Sequence, residues 1–377
     1  MLNVLIFSAA TGGGHLRTAQ ALEHYLTHHV TNMQVKVVDA FQEIHYLYDK
    51  FVCGGYHFVA TKMPALFGRM YHRTNDNSPL SKLVPKINYA LGKRLLPLIR
   101  RFDPDIIVTT HPFVTEMISY LKGNGLVTAK QLVIMTDYAP HKTWIAKYAD
   151  GYIVANEDMV NPMVQNLGVE PEKIHSFGIP VLQDFFNHRS KLVVRKEIGL
   201  MPNKTTVLLM AGSFGVKNIM QIYREIVRIP LDFQMIVITG KNQRLYQLLK
   251  TTVMLSPKQT KLILFTQKVE QYMQASDLLI TKPGGLTVTE ALASNLPMLV
   301  FDSIPGQEED NADFLERHGM AKRVRRKESC AEALKEILED KQQLASMVQA
   351  CRNFDRSDGC EKIVALMKQL LKIEEKN

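Results

Sequence analysis

Ten short apolar runs, rich in β-branched residues and separated by stretches with helical spacing, limit what this 377-residue chain can become. In the first half they are Leu2 to Ser8, Val35 to Val38, Ile106 to Thr109, Leu132 to Met135 and Gly151 to Val154. In the second half they are Thr206 to Met210, Phe233 to Ile238, Leu262 to Phe265, Leu278 to Ile280 and Met298 to Phe301. Strands that are apolar on both faces belong to parallel sheets with helices covering both sides. A single core stops growing at about 250 to 300 residues, so a chain of this length splits. The pattern predicts an α/β protein of two doubly wound, Rossmann-like parallel-sheet domains. A boundary near Phe177-Gly178-Ile179-Pro180 gives domains at 1–180 and 181–355, with a last segment at 356–377. Ligands of such sheets bind outside the carboxyl ends of the strands, and a cleft between two domains is the expected site.

Composition removes several classes. With 46% hydrophobic and 22% charged residues the chain is neither disordered, collagenous nor a coiled coil. No apolar run approaches the ~18 residues that cross a bilayer. The chain opens Met1-Leu2-Asn3 directly into a strand-like run without the basic start of a secretory signal, and a cytosolic location is expected. Cys53, Cys330, Cys351 and Cys360 form no C-x-x-C pair, so neither a disulfide framework nor a zinc site is suggested.

The net charge of +9 is concentrated. From Phe41 to Arg101 ten basic residues, among them Arg69, Arg73, Lys93 and Arg94, face three acidic ones, so ten minus three leaves +7 in one segment. Tyr46, Tyr48, Phe51, Tyr56, Phe58, Phe67 and Tyr71 are interleaved with them. Charge beside apolar residues suits docking on an anionic lipid surface. Ordinary amphipathic helices, with Leu83, Ile87, Leu91 and Leu95 turned inward, fit the spacing equally. A basic pI near 9.2 also raises nucleic acid, but no recognition signature supports it.

Three turns between strand and helix could hold a ligand. After the first strand comes Thr11-Gly12-Gly13-Gly14-His15. Consecutive glycines let a backbone approach a ligand, and the following helix start offers free amides to negative charge. The loop is neither G-x-G-x-x-G nor a P-loop. His15 lies where the positive end of the helix dipole favours neutral imidazole, the form that accepts a proton near neutral pH. A surface histidine beside a helix start would have the same sequence. In the second half, Gly212-Ser213-Phe214-Gly215 follows one strand, and Lys282-Pro283-Gly284-Gly285-Leu286-Thr287 follows another. Two such turns on one sheet can cradle a diphosphate, with Glu290 about one and a half turns into the helix and within reach of a ribose hydroxyl. Pro305-Gly306-Gln307-Glu308, with Asn311, carries the donors and acceptors a hydroxyl-rich ligand requires.

Gly-Gly-Gly-His15 after the first strand, Met135-Thr136-Asp137-Tyr138 with Trp144, Lys282-Pro-Gly-Gly-Leu-Thr-x-Thr-Glu290 and Pro305-Gly-Gln-Glu308 with Asn311 together resemble the processive diacylglycerol glucosyltransferases of Gram-positive bacteria. The set is similar to the plant monogalactosyldiacylglycerol synthases and, more distantly, to the lipid-linked N-acetylglucosaminyltransferase of peptidoglycan synthesis. The resemblance keeps its order from about residue 2 to about residue 355. It implies a GT-B fold with an acceptor domain, a UDP-sugar domain and a final helix that packs back on the first domain. The implied reaction is inverting transfer of a hexose, glucose more than galactose, from a UDP-sugar to diacylglycerol at the cytoplasmic membrane face. No metal or other cofactor is implied, and no nucleic acid. Asp103-Pro104-Asp105 imitates a metal-binding D-x-D but sits at the entry of a strand.

By the same resemblance His15 is the base, and Gly13 and Gly14 line the site with Asp137. Amides at Ser213 to Gly215 and Gly284 to Leu286 take the charge of the leaving UDP, with Lys282 and Thr287 beside them. Glu290 holds the ribose, Gln307 and Glu308 the sugar hydroxyls, and Val269 the uracil. The stretch 41–101 docks on anionic lipid, with Arg69, Arg73, Lys93, Arg94 and Trp144 as lipid contacts. The competing readings are transfer to a polyprenyl-linked precursor and nucleotide-sugar epimerisation, and an epimerase has no use for the basic aromatic stretch.

Overall fold

The computed structural model describes residues 1–10, 13–44, 88–210, 219–301, 306–325 and 328–373. Their contacts divide into two units. The first comprises Met1–Leu182, Ile304–Gln307 and Arg356–Asn377, and the second Gln183–Ser303 and Glu308–Asp355.

The first unit is a parallel sheet of β1 (Leu2–Ser8), β2 (Met33–Asp39), β3 (Ile106–Thr109), β4 (Lys130–Ile134), β5 (Gly151–Ile153) and β6 (Ile174–His175), in the order β2-β1-β3-β4-β5-β6. Alternate residues of β1 enter different cores. Leu5 and Phe7 pack with Ile107, Val114 and Ile118 on one face. Val4 and Ile6 pack with Ala19, Leu22 and Leu26 on the other. That second face also takes Ile363 and Met367 of the helix Gly359–Leu370, so residues far apart in the chain complete one core. Both faces of β1 are therefore dry, which is why its sequence is a continuous apolar run.

The chain leaves β1 for β2 on one side and returns to β3 on the other. The carboxyl ends of β1 and β3 thus form the topological switch point of this sheet. The helix Gly14–His29 begins there, after Gly13 at a φ of 86°. Asp105 marks the opposite edge. Its carboxylate accepts from the Asn3 amide at 2.8 Å, tying the starts of β1 and β3 together. The D-x-D look-alike is thus a structural clamp on the edge away from His15.

The second unit repeats the plan with β7 (Thr206–Met210), β8 (Gln234–Ile238), β9 (Thr260–Ile263), β10 (Leu278–Thr281), β11 (Met298–Val300) and β12 (Ala321–Arg323), ordered β12-β11-β10-β7-β8-β9. All pairings are parallel, and the switch point lies between β7 and β10. Its core gathers Val207, Met235, Val237, Leu278 and Ile280 with Leu334 and Ile337 of the helix Cys330–Glu339. Buried Arg195 donates to the Ala275 carbonyl at 2.8 Å and to the Asp277 carboxylate at 2.5 Å, and Asp277 also accepts from the Thr206 amide at 2.8 Å. A buried guanidinium paired on several sides in this way fixes how β7 and β10 begin.

The predicted architecture is therefore observed, two doubly wound parallel sheets. All ten anticipated strands are present, with ends displaced by up to two residues. Two edge strands, β6 of two residues and β12 of three, were not anticipated, because runs so short carry no periodicity. No described helix is long and apolar enough to cross a membrane.

Candidate active site

In the first unit the polar residues just beyond the strand ends converge on His15. The imidazole, in the first turn of its helix, has Nδ1 2.9 Å from Thr136 Oγ1, beyond β4. The Thr110 hydroxyl, beyond β3, donates to the His15 carbonyl at 3.1 Å and lies 2.9 Å from Ser8 Oγ at the end of β1. Three neighbouring strands thus hold one histidine. Its ring also meets His111 edge to face at 4.8 Å between centroids and lies 6.0 Å from the Trp144 ring.

Burial lowers the His15 pKa to about 4, against a smaller upward pull from a backbone hydrogen bond with Thr110. The ring is therefore neutral at pH 7. The sequence led to the same protonation state from the helix dipole, whereas the larger cause is removal from water. His111 is held well below the usual histidine range, first by burial and then by the proximity of His15. Two imidazoles in contact resist charging together.

Asp137 is buried. One carboxylate oxygen accepts from Trp144 Nε1 at 3.0 Å and the other from Gln307 Nε2, which the division of contacts counts in the first unit. Trp144, expected among the lipid contacts, is only 2% exposed. An indole with its N–H on a buried carboxylate is a wall of the site and not a surface anchor. His141 caps its own turn, with Nδ1 2.8 Å from Thr143 Oγ1. Lys93 and Arg94 do lie at the surface, Lys93 over the Tyr89 ring at 4.5 Å. Arg69 and Arg73 lie outside the described residues.

Gly13 is the residue that must be glycine here, since its φ of 86° belongs to the left-handed region. Gly14 follows as the first residue of the helix. Thr136, Thr110 and Ser8 were not singled out as His15 partners beforehand. The signal that could have found them is positional, as each is among the first polar residues after a strand next to the switch point.

In the second unit β10 ends at Thr281, and Lys282, Pro283 and Gly284 lead into the helix Gly285–Ala293. Gly284 caps that helix without a side chain, leaving the first amides free of a side-chain cap. Among the described residues nothing comes within 4 Å of a Cβ built on Gly284, and its φ is −73°. Among the described residues neither packing nor backbone strain demands glycine there. Leu286 and Thr287 occupy the first turn, and Glu290 lies buried on the same helix.

The helix Gln307–Arg317 is pinned against this turn. Asn311 Nδ2 donates to the Pro283 carbonyl at 3.0 Å, and Lys282 Nζ lies 3.8 Å from Glu308 Oε2. The structure thus brings Lys282, Gly284, Glu308 and Asn311 together, while Val269 begins the helix Val269–Ala275. Gly212, Ser213, Phe214 and Gly215 lie outside the described residues.

Residues 15–181 match the family described as monogalactosyldiacylglycerol (MGDG) synthase, and residues 206–363 match the glycosyltransferase family 28 C-terminal domain. The chain is 30% identical over 364 residues to a processive diacylglycerol beta-glucosyltransferase of Bacillus licheniformis, covering 96% of this chain and 93% of that one. A relative of the same description from Staphylococcus carnosus is 30% identical over 356 residues, covering 93% and 88%. Among solved structures, MurG of Acinetobacter baumannii aligns with a TM-score of 0.67 at 14% identity, over 98% of this chain and 100% of that one. MnaA of S. aureus with UDP aligns with a TM-score of 0.64 at 15% identity, over 100% and 99%. These two share the fold.

Proposed function

Because this chain belongs to the GT-B glycosyltransferase family of the diacylglycerol glucosyltransferases and monogalactosyldiacylglycerol synthases, we propose that it transfers a hexose from a UDP-sugar to diacylglycerol, with inversion, at the cytoplasmic face of the membrane. Glucose is the favoured sugar, in keeping with the names of the relatives.

The observation that most supports the reading is the half-buried, neutral His15 at the carboxyl ends of β1 and β3. A neutral imidazole takes the proton of the acceptor hydroxyl as its oxygen attacks the anomeric carbon from the side opposite UDP. The new C–O bond forms as the bond to the UDP oxygen breaks, and UDP leaves with the electron pair. The negative charge that develops there calls for positive partners, which the amides after Gly284 and the Lys282 ammonium can supply. Glu290 binds the ribose, Val269 flanks the uracil, and Gln307 and Glu308 hold sugar hydroxyls. Gln307 meets Asp137 in the structure, so in this scheme it exchanges that partner for the sugar.

The test combines purified protein, liposomes containing diacylglycerol and an anionic lipid, EDTA, and UDP-glucose or UDP-galactose in separate reactions. A glycolipid from UDP-glucose is expected. His15→Ala should reduce its formation by about 10²- to 10⁴-fold, the range for loss of a general base. Absence of product with both donors, together with product from UDP-N-acetylglucosamine and a polyprenyl acceptor, would overturn the diacylglycerol assignment.

A further inference from the structure

One region outside the site combines two unusual properties. From Phe233 to Val269 the chain holds six Lys and Arg and no Asp or Glu. It includes the helix Gln243–Met254, followed by the edge strand β9. The helix turns Leu245 and Leu249 into the core of the second unit. Its outer face carries the exposed polar residues Gln243, Arg244, Gln247, Lys250 and Thr251, and exposed apolar side chains stand among and beside them. Leu248 is 53% exposed, Met254 79% and Leu255 82%, and Arg244 and Lys250 stand among them. Among the described residues Lys241, Arg244 and Lys250 form no ion pair. Exposed apolar side chains clustered on one helix mark a binding surface more often than chance.

We propose that this helix face is a membrane-docking surface of the second unit, seated on anionic lipid, with Leu248, Met254 and Leu255 in the interfacial layer and Lys241, Arg244 and Lys250 on the headgroups. Charge complementarity identifies the occupant. Unpaired cations on a segment that carries no carboxylate attract an anionic surface, and leucine and methionine beside them gain by leaving water into an acyl boundary. A polynucleotide would be met by arginines and stacking aromatics, and this helix carries neither in number. The inference goes beyond the proposed reaction, since it concerns where the second unit rests and not which lipid is glycosylated.

The test uses the full chain and vesicles of phosphatidylcholine with or without phosphatidylglycerol. A Leu255→Trp variant adds a second indole to Trp144, which is buried in the first unit. Anionic vesicles should shift the added emission to the blue, and brominated acyl chains should quench it. The combined variant Lys241→Gln, Arg244→Gln, Lys250→Gln should partition roughly 10- to 100-fold more weakly at low salt, from ~1 kcal/mol per charge near an anionic surface. It should keep full activity on detergent-dispersed acceptor, which separates failure of this inference from failure of the proposed reaction. Co-sedimentation of the Leu255→Trp chain with no blue shift would overturn the proposal by placing docking elsewhere. A shift that follows protein concentration without vesicles would overturn it in favour of a second copy on this face. Retention on single-stranded RNA with no vesicle partition would overturn it in favour of nucleic acid.

Discussion

Acidification tests the half-buried imidazole of His15 most directly. The His15 pKa is about 4 in the folded chain against 6.5 for the ordinary residue. Between those values the unfolded chain binds a proton that the folded chain refuses, so stability falls as the pH falls from 6.5 and the loss is complete below 4. At ~1.36 kcal/mol per unit the full loss is roughly 3 kcal/mol, of which about 2 kcal/mol comes between pH 7 and pH 5. The residue keeps partial solvent access, so these figures are the upper end. His111, lowered for the same reason, adds to the slope in the same direction. The chain has one tryptophan, and it lies 6.0 Å from the His15 ring, so its fluorescence reports unfolding of the first unit. Urea titrations of the parent and of His15→Asn at pH 7 and pH 5 give the comparison. The parent should lose about 2 kcal/mol more than the variant between the two conditions. Equal losses in both proteins, within about 0.5 kcal/mol, would show that desolvation of this imidazole is not what shapes the acid limb and would refute the reasoning.

Other outcomes follow from single contacts. Gly284→Val should leave the thermal midpoint of the protein nearly unchanged, because the space beside Gly284 is open, while weakening UDP binding by calorimetry about 10-fold or more. Ile363→Ala, in the helix Gly359–Leu370, should cost the first unit about 2–4 kcal/mol in a Trp144-monitored titration, since Ile363 is fully buried with Val4 and Leu22. Asp277→Ala should cost about 3–5 kcal/mol by leaving the Arg195 guanidinium buried without its carboxylate, read from far-ultraviolet circular dichroism in denaturant.

Periodicity in the sequence was enough to determine the class of fold. A central parallel strand is buried on both faces, so Val4 to Phe7 and Val207 to Met210 are apolar at every position, and that pattern survives without any knowledge of neighbours. The glycine turns at Gly13 and Gly284 were legible too, because each follows a strand and opens a helix. What sequence order could not convey is which polar residues meet. His15 and Thr136 are 121 residues apart, and Asp137 and Gln307 are 170 apart. The first of these contacts depends on which strands become neighbours in a doubly wound sheet. The tertiary structure also decided the state of His15, since desolvation is a property of the enclosing walls. It made Trp144 a wall of the site and not a surface anchor, because its indole N–H finds a buried carboxylate. Residue type and local spacing determine what a segment can become, and the packing of distant segments determines which groups lose water and find partners.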